Sequence, residues 1–402
     1  MPDKPILIMP TPAPVDRADA GGGGADKLKP PTKAAQRKRL NSQWDDLLTA
    51  FSDVQATPDD VAPQQVIVLQ VAGSIEGFQN AVRNIAGMEW LGDFEADIQK
   101  PAKGFLLDGA EPSELDGRLF VVASNQVQAK KLVSIWKIWH NAGAKKLSRK
   151  LAPYARVFKF LHEVRLWGPK DRVQTTGVVA YWEKGLSSNE PSIRFEAELW
   201  CRSKLALREA AYYHIRSKVE AAGGQCITRA TIEHIDYDGV LIELPASAVR
   251  AVIRDMNASQ GNTILRLTDV KYFTPIGQAS ITPIEDGAVV TPPNRPLPSG
   301  DPVVAILDGL PLTNHAALQG RLVVDDPDNL AAAYNTGEHR HGTAMASLIT
   351  HAEYDGNEPA LESKLYVRPV MVPGQPDVNN RRWETFPPNE LAVDLIHRAV
   401  RR

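Results

Sequence analysis

The sequence predicts an α/β protein in which α+β units precede the start of a doubly wound parallel sheet. The order strand-helix-strand-strand-helix-strand occurs twice in the apolar patterns upstream of residue 275. A proline-rich linker follows at residues 275–301, and a continuous apolar run begins at Pro302. This change of pattern marks a domain boundary and the first strand of a buried parallel sheet.

The composition is that of a globular protein with substantial cores. The chain has 402 residues, 43% hydrophobic and 23% charged, and roughly 100–200 residues per domain predicts two to four domains.

A net charge of −2 gives no global attraction to nucleic acid or a membrane. No apolar run approaches the roughly 18 residues that span a bilayer, and the N-terminus lacks the apolar core of a secretory signal. Two cysteines are too few for a disulfide framework, so we expect a cytoplasmic protein without nucleic-acid or membrane partners.

Residues 1–39 are predicted to be a disordered N-terminal segment. Prolines, a run of four glycines and a basic stretch at 27–39 leave little to bury. The basic stretch is typical of a solvated linker, and an arm for nucleic acid or a partner is the less favoured alternative. Leu40, Trp44 and Phe51 then recur at helical spacing, which predicts an amphipathic helix docked on the next domain.

Residues 40–168 are predicted to form an N-terminal α+β domain. After the first helix, its predicted elements are a strand at 65–72, a helix at 74–85 with Ser74 as N-cap, strands at 88–98 and 118–124, a helix at 126–141 stopped by Gly143, and a strand at about 164–167. The resulting order is β-α-β-β-α-β.

Residues 190–274 are predicted to form a second unit of the same order. Its elements are a strand at 193–201, a helix at 204–222, a hairpin of strands at 225–234 and 239–244, a helix at 247–256 and a strand at 263–273. This order is that of the split-βαβ, ferredoxin-like arrangement. Two such units in tandem would be a duplication of architecture.

The residues that predict chemistry lie in the last region, 302–402. Asp308 stands at the C-terminal end of the apolar run at 302–307, the edge at which open α/β sheets place functional residues. Further on, His341 opens a segment, HGTAMAS, predicted to be a helix that runs to about residue 351. Gly342 permits a close approach of backbone, and the small residues that follow let the helix pack tightly.

Two segments of this region resemble the motifs of a known family. VAILDGLPLTNHAAL, with His315 seven residues after Asp308, is similar to the aspartate motif of the subtilisin-like serine proteases, and HRHGTAMAS to their histidine motif. Residues 361–372 resemble the family's next core strand, and 388–400 the helix after it. The resemblance covers residues 302–402 and follows the family's order of aspartate before histidine.

The resemblance implies a serine endopeptidase that hydrolyses peptide bonds through a Ser-His-Asp triad. His341 would be the general base, and Asp308 would orient and stabilise its imidazole. The partners would then be protein or peptide substrates. No cofactor is predicted: calcium is common in the family, but no ligand pattern for it is visible. His315 is expected to have a structural role beside the aspartate loop, the segment that follows Asp308. His339, His341 and His351 lack the spacing of a zinc site.

The chain departs from the family in two respects. Gly309 and Leu310 replace the Ser or Thr and the Gly that usually follow the aspartate, so a hydroxyl that would help orient Asp308 is absent. The serine motif, Gly-Thr-Ser-x-Ala/Pro, and the motif of the oxyanion Asn are also absent from these 402 residues. We therefore expect this chain to be the front part of a longer protease. Residues 302–402 would be an incomplete peptidase domain, and the chain would be inactive by itself. The alternative is a non-catalytic regulatory or interaction protein derived from the family.

The unit at 190–274 lies where proteases of this family often carry a ferredoxin-like prodomain. The resemblance implies that it could assist folding and inhibit until removed. A permanent accessory domain that binds a partner is the alternative, and both remain open. Without a secretion signal, an intracellular protease needs restraint, such as retained inhibition or an activating partner protein.

Overall fold

The computed structural model describes residues 28–55, 64–73, 78–142, 147–256, 258, 261–276, 295–352, 359–376 and 382–401. Within these ranges the chain is a mixed α/β protein with two four-stranded antiparallel sheets, one three-stranded parallel sheet and two short antiparallel strand pairs. The predicted cap at Ser74, the stop at Gly143 and most of the predicted linker lie outside the described residues.

The helices of the described chain are α1 Lys33–Gln55, α2 Phe78–Arg83, α3 Gln126–Ala142, α4 Ala152–Phe160, α5 Val178–Ser187, α6 Leu205–Ala221, α7 Ala246–Asp255, α8 Arg340–His351 and α9 Ala392–Arg401. The strands of the described chain are β1 Leu28–Lys29, β2 Gln65–Ala72, β3 Glu89–Glu95, β4 Leu106–Leu107, β5 Gly117–Ser124, β6 Leu161–Leu166, β7 Ser192–Leu199, β8 Gln225–Ile232, β9 Tyr237–Pro245, β10 Val270–Pro275, β11 Gly300–Asp308, β12 Leu322–Val324, β13 Ser363–Pro369, β14 Val372–Pro376 and β15 Arg382–Thr385.

The first antiparallel sheet has the strand order β3-β5-β2-β6, and its chain order contains the β-α-β-β-α-β pattern that the sequence predicts. Alternate residues of β2 point to the two faces, and α1, α3 and α4 pack on one of them. An aromatic cluster fills this core, in which the ring of Trp136 lies 5.7 Å from that of Trp44 and 5.3 Å from that of Phe158. Helix α4 and the short strand β4 are additions that the sequence analysis did not predict.

The expectation of disorder across residues 1–39 is wrong for its last part. Strand β1 begins at Leu28 and α1 begins at Lys33. The reason is a long-range contact that composition does not reveal: the amide of Gln36 donates to the carbonyl oxygens of Phe158 and Leu161, at 3.1 and 3.0 Å. These bonds occupy carbonyl groups at the end of α4, which would otherwise lack partners.

The second antiparallel sheet has the order β10-β7-β9-β8, with α6 and α7 connecting its strands as predicted. Its core contains the aromatic rings of Trp182, Phe195 and Phe273, with Trp182 supplied by the unpredicted helix α5. The last strand is shorter than the predicted 263–273, because Thr263 caps a single 3₁₀ turn and β10 begins at Val270.

The two antiparallel sheets contact each other through aromatic side chains. The rings of Trp167 and Trp200 are 5.4 Å apart, and the indole N–H of Trp167 donates to the carbonyl oxygen of Lys271 at 3.0 Å. An ion pair of 2.7 Å between Arg202 and Glu89 also joins the units.

The parallel sheet has the order β11-β13-β12. Successive residues of β11 face opposite sides: Ile306 packs with Ala346 of α8, whereas Leu307 packs with Leu395 of α9. The two helices therefore cover opposite faces of the sheet. Among the described residues, no helix is long and apolar enough to cross a membrane.

Candidate active site

Asp308 is the last residue of β11 and is 8% exposed. Its strand pairs in parallel with β13 as far as the pair Asp308–Pro369. The backbone N–H of Gly309 donates to Oδ1 of Asp308 at 2.7 Å. The carboxyl group thus lies at the carboxyl end of β11, and Oδ2 is available to a second partner. The sequence analysis expected this strand to be buried, but most of its residues before Ile306 are exposed, because β11 lies at one edge of the described sheet.

That other group is the imidazole of His341, in the first turn of α8. Nε2 of His341 lies 3.0 Å from Oδ2 of Asp308. The structure therefore brings together the two residues that the sequence analysis singled out. The ring orientation differs from that of a working serine-protease triad, in which Nδ1 faces the aspartate and Nε2 faces the serine.

The residues after His341 determine how closely α8 approaches the aspartate loop. A Cβ built on Gly342 would overlap the carbonyl oxygen of Gly309, so any larger residue would push the helix away. The hydroxyl of Thr343 accepts the backbone N–H of Leu312 at 2.9 Å. The His-Gly-Thr segment thus supplies an ion-pair partner, a close backbone contact and a hydrogen-bond acceptor to the loop that follows Asp308.

Two aromatic side chains support the loop where the usual hydroxyl residue is absent. Tyr334 accepts the N–H of Leu310 at 3.1 Å, and Nδ1 of His339 lies 2.9 Å from the carbonyl oxygen of Leu310. The rings of Tyr334 and His339 are stacked, 4.9 Å apart and tilted by 20°. Both backbone groups of Leu310 are therefore held from outside the loop.

Glu384 is a member of the site that the sequence analysis missed. It lies in β15, is 5% exposed, and its Oε1 is 2.6 Å from the hydroxyl of Tyr334. Burial raises the pKa of Glu384 above its usual 4.5, and the charge of Asp308 also raises it, against lowering contributions from Tyr334 and His341. No motif or period marks this residue, because only tertiary packing brings β15 to the aspartate.

The other histidines of interest do not join the pair. Nδ1 of His315 accepts the N–H of Ala317 at 3.3 Å, in agreement with a structural role in the loop. His351 is 1% exposed, and its Nε2 lies 2.7 Å from the carbonyl oxygen of Ala317. Within the described ranges, no three His, Cys, Asp or Glu side chains are grouped so as to hold a metal ion.

The arrangement can hold and move a proton. An imidazole paired with a buried carboxylate can accept a proton and be stabilised as the cation, which is what a general base needs. A nucleophile must be added before this pair can cleave a bond.

Comparison with known proteins assigns the chain to no family. No protein-family model matches it, and no curated protein matches it. Among solved structures, the chain is similar to an unknown protein from Galdieria sulphuraria at 13% sequence identity, with a TM-score of 0.13, over 48% of this chain and 91% of that one. A similarity this low supports neither a fold nor a function.

Proposed function

We propose that this chain carries the aspartate and histidine of a subtilisin-like serine endopeptidase, and that the nucleophilic serine lies outside these 402 residues. The observation that carries the proposal is the 3.0 Å contact between His341 and Asp308 at the carboxyl end of a parallel strand. The two motifs that resemble the family are the segments that make this contact, and each residue of the His-Gly-Thr segment has a separate structural task there.

In this function, His341 takes the proton from the serine hydroxyl and later gives it to the leaving amine. Asp308 holds the imidazole and stabilises its charged form. The function needs Nδ1 on the aspartate, so the ring of His341 must turn about its side-chain bonds from the orientation found here. The hydrogen bond from the Gly309 N–H holds Oδ1 of Asp308, so the carboxyl group can stay in place while the ring turns.

The fold around the pair is proposed to be the start of a doubly wound subtilisin-like domain. Helices on both faces of a parallel sheet support this proposal. Within the described residues, β11 lies at one edge of the sheet. A further parallel strand along that edge would place Asp308 inside the crevice at the carboxyl ends of the strands.

Cleavage of casein by the full gene product tests the enzymatic proposal. We expect His341→Ala and Asp308→Ala each to lower the rate by about 10⁴-fold or more. His397→Ala is the matched control, since Nε2 of this histidine of α9 lies 3.1 Å from Nε2 of His234, which belongs to the second antiparallel unit. Undiminished cleavage by both variants of the pair would show that the assignment is wrong.

A second candidate function is that of a non-catalytic regulatory or interaction protein. The absence of a Gly-Thr-Ser-x-Ala motif from these 402 residues favours it. A coding sequence that ends directly after Arg402, together with no cleavage by the wild-type protein, would support this candidate against the protease.

The unit at 190–274 is proposed to be a ferredoxin-like accessory of the peptidase region. The strand order β10-β7-β9-β8 supports the fold, and Arg194 of β7 donates to the side-chain oxygen of Asn389 at 2.7 Å, three residues before α9 begins. Mass analysis of active protein distinguishes its two roles: cleavage between residues 275 and 301 supports a removable prodomain, whereas an intact chain supports a permanent domain.

A further inference from the structure

The carboxyl group of Glu384 is buried beside the Asp308–His341 pair, yet the proposed chemistry gives it no task. Its side chain occupies the space that a Cβ on Gly309 would fill. Any residue other than glycine at position 309 would therefore displace Glu384, so the two residues fit as a pair. The replacement of the usual hydroxyl residue by Gly309 makes room for this carboxyl.

The hydrogen bonds of Tyr334 indicate the protonation state of Glu384. The hydroxyl of Tyr334 has three partners: the N–H of Leu310 at 3.1 Å, the carbonyl oxygen of Met371 at 3.0 Å, and Oε1 of Glu384 at 2.6 Å. A tyrosine hydroxyl has one proton to donate and two lone pairs that accept. Since the carbonyl of Met371 can only accept, the three contacts are all satisfied if Tyr334 donates to Met371 and Glu384 donates to Tyr334.

An ionised Glu384 would not fit this arrangement. It would compete with Met371 for the single proton of Tyr334 and leave one close oxygen–oxygen contact without a hydrogen. Its other oxygen, Oε2, is buried and has no hydrogen-bond partner among the described residues. A charged oxygen without a donor costs more in a buried site than a neutral carbonyl oxygen does.

The charged neighbours act in both directions. Asp308 on β11 disfavours a second negative charge, whereas His341 and His339 favour one. Burial is the largest influence and raises the pKa of Glu384. A hydrogen bond donated by Tyr334 would lower the pKa of Glu384. If Tyr334 instead gives its proton to the carbonyl oxygen of Met371, that lowering contribution is absent and burial prevails.

We propose that Glu384 is a positioning residue for the Asp308–His341 pair: as a neutral carboxylic acid it donates to Tyr334 and fixes the loop after Asp308 without placing a second negative charge beside it. Tyr334 transmits the effect, because it holds the N–H of Leu310, two residues from the aspartate. The catalytic consequence rests on the proposed protease function, but the protonation state and the positioning do not.

Three variants separate the roles of Glu384. Glu384→Gln keeps the shape and offers an N–H to Tyr334 but cannot ionise, whereas Glu384→Ala removes both shape and donor. Glu362→Gln is the matched control, since Glu362 is an exposed residue directly before the start of β13.

Infrared spectroscopy of the 402-residue chain with labelled glutamate observes the protonation state directly. At about pH 6, where a glutamate with an ordinary pKa of about 4.3 is ionised, we expect a carboxylic-acid C=O component that is lost in Glu384→Gln and kept in Glu362→Gln. Glu196 of β7, whose pKa burial raises to about 7, contributes a second component that remains in both variants. A difference spectrum that contains carboxylate bands alone would overturn the proposal.

Thermal unfolding against pH gives an independent answer. A carboxyl whose folded pKa is raised stabilises the fold fully below its unfolded pKa of 4.5, and this stability is lost as pH rises through the folded pKa. The melting temperature of Glu384→Gln relative to wild type should therefore rise with pH above 4.5, while Glu384→Ala melts several degrees lower throughout. A relative melting temperature of Glu384→Gln that falls as pH rises would contradict a neutral Glu384.

Nitrogen NMR of the His341 ring tests positioning. We expect Glu384→Ala to move the ring resonances and Glu384→Gln to leave them at the wild-type positions. A fourth variant, Glu384→Met, fills a similar space without a donor for Tyr334 and should also move them, whereas a merely space-filling role would leave them in place. Equal shifts in Glu384→Ala and Glu384→Gln, or none in either, would overturn the positioning role. In the full gene product, kcat for peptide cleavage should follow the same order with KM unchanged. If the infrared and NMR results hold while cleavage is absent, the proposed protease function fails and the inference stands.

Discussion

The second antiparallel unit and the parallel-sheet region are stabilised in different ways. In the described part of the antiparallel unit, one cluster of 20 buried apolar residues lies between the sheet and its helices. The apolar clusters on the two faces of the parallel sheet contain six and four buried residues. Burial of apolar surface is thus the main source of stability in the second antiparallel unit. Polar contacts contribute a larger share of the stability in the parallel-sheet region.

The buried polar contacts of the parallel-sheet region lie around its strand ends. Arg368 of β13 is 2% exposed and pairs with Asp328 at 2.7 Å, and Arg398 of α9 reaches the same aspartate at 2.7 Å. The candidate site, with Asp308 and Glu384, lies in the same region. Charged groups at the carboxyl ends of the strands replace apolar contacts there. A functional site is expected where local stability is reduced in this way.

The largest effect should come from truncating the aromatic core of the antiparallel unit. Phe195→Ala should destabilise that unit by about 3–5 kcal/mol, since it removes a fully buried ring that packs against two others. Hydrogen exchange measured by region should show the loss in residues 192–275. Tyr213→Ala, at a side chain 69% exposed, is the control and should change little. An equal effect of both variants would contradict an apolar-core explanation.

A pH-dependent effect of somewhat smaller size is expected at Glu196 of β7. Burial raises the pKa of Glu196 from 4.5 to about 7, although the hydroxyl of Tyr237, 2.8 Å away, opposes the shift. The stability that its protonated form contributes is present below pH 4.5 and lost as pH rises through about 7, by up to about 3 kcal/mol. Denaturant unfolding at several pH values should show this loss in the wild type. Glu196→Gln should abolish it, and the same pH dependence in that variant would exclude Glu196 as its origin.

Removal of Asp328 tests how much polar contacts contribute to the stability of the parallel-sheet region. Asp328→Ala should cost about 2 kcal/mol, because it leaves the buried guanidinium of Arg368 with one aspartate, Asp325 at 3.2 Å. Asp301→Ala, at an exposed residue of β11, is the control for the loss of a charge. Equal unfolding free energies for the two variants would break the proposed contrast between the regions.

The smallest stability effect is expected at the contact between α8 and the aspartate loop. Gly342→Ala should cost about 1–2 kcal/mol, because its methyl group would overlap the backbone of Gly309 and shift the helix. Gly337→Ala is a close control, since a Cβ there meets no atom within 4 Å. Chemical shifts of the His341 ring should move in Gly342→Ala and stay unchanged in Gly337→Ala; the reverse would refute the close-packing role.

Elements that local interactions produce were predictable from the sequence, whereas elements that depend on contacts between distant residues were not. Strand β2 and helix α3 were predicted within a residue at most, because their apolar periods are local and regular. The start of α1 was missed, since contacts of Gln36 with residues far along the chain hold it. Asp308 and His341 were predicted from their motifs, and the structure places them in contact.

The remainder of the site was not predictable in this way. Glu384 and Tyr334 have no characteristic spacing from Asp308, and β15 reaches the aspartate loop through its pairing with β14. Their chemistry depends on burial and on the count of donors and acceptors, neither of which a single sequence displays.

Labelling of the full gene product with a serine-directed fluorophosphonate, followed by peptide mapping, tests whether Asp308 and His341 belong to a serine-protease triad. One serine outside residues 1–402 should be labelled. This labelling should be lost in His341→Ala and retained in His397→Ala. Labelling of a serine within residues 1–402, or undiminished labelling in His341→Ala, would contradict the assignment of Asp308 and His341 to a serine-protease triad.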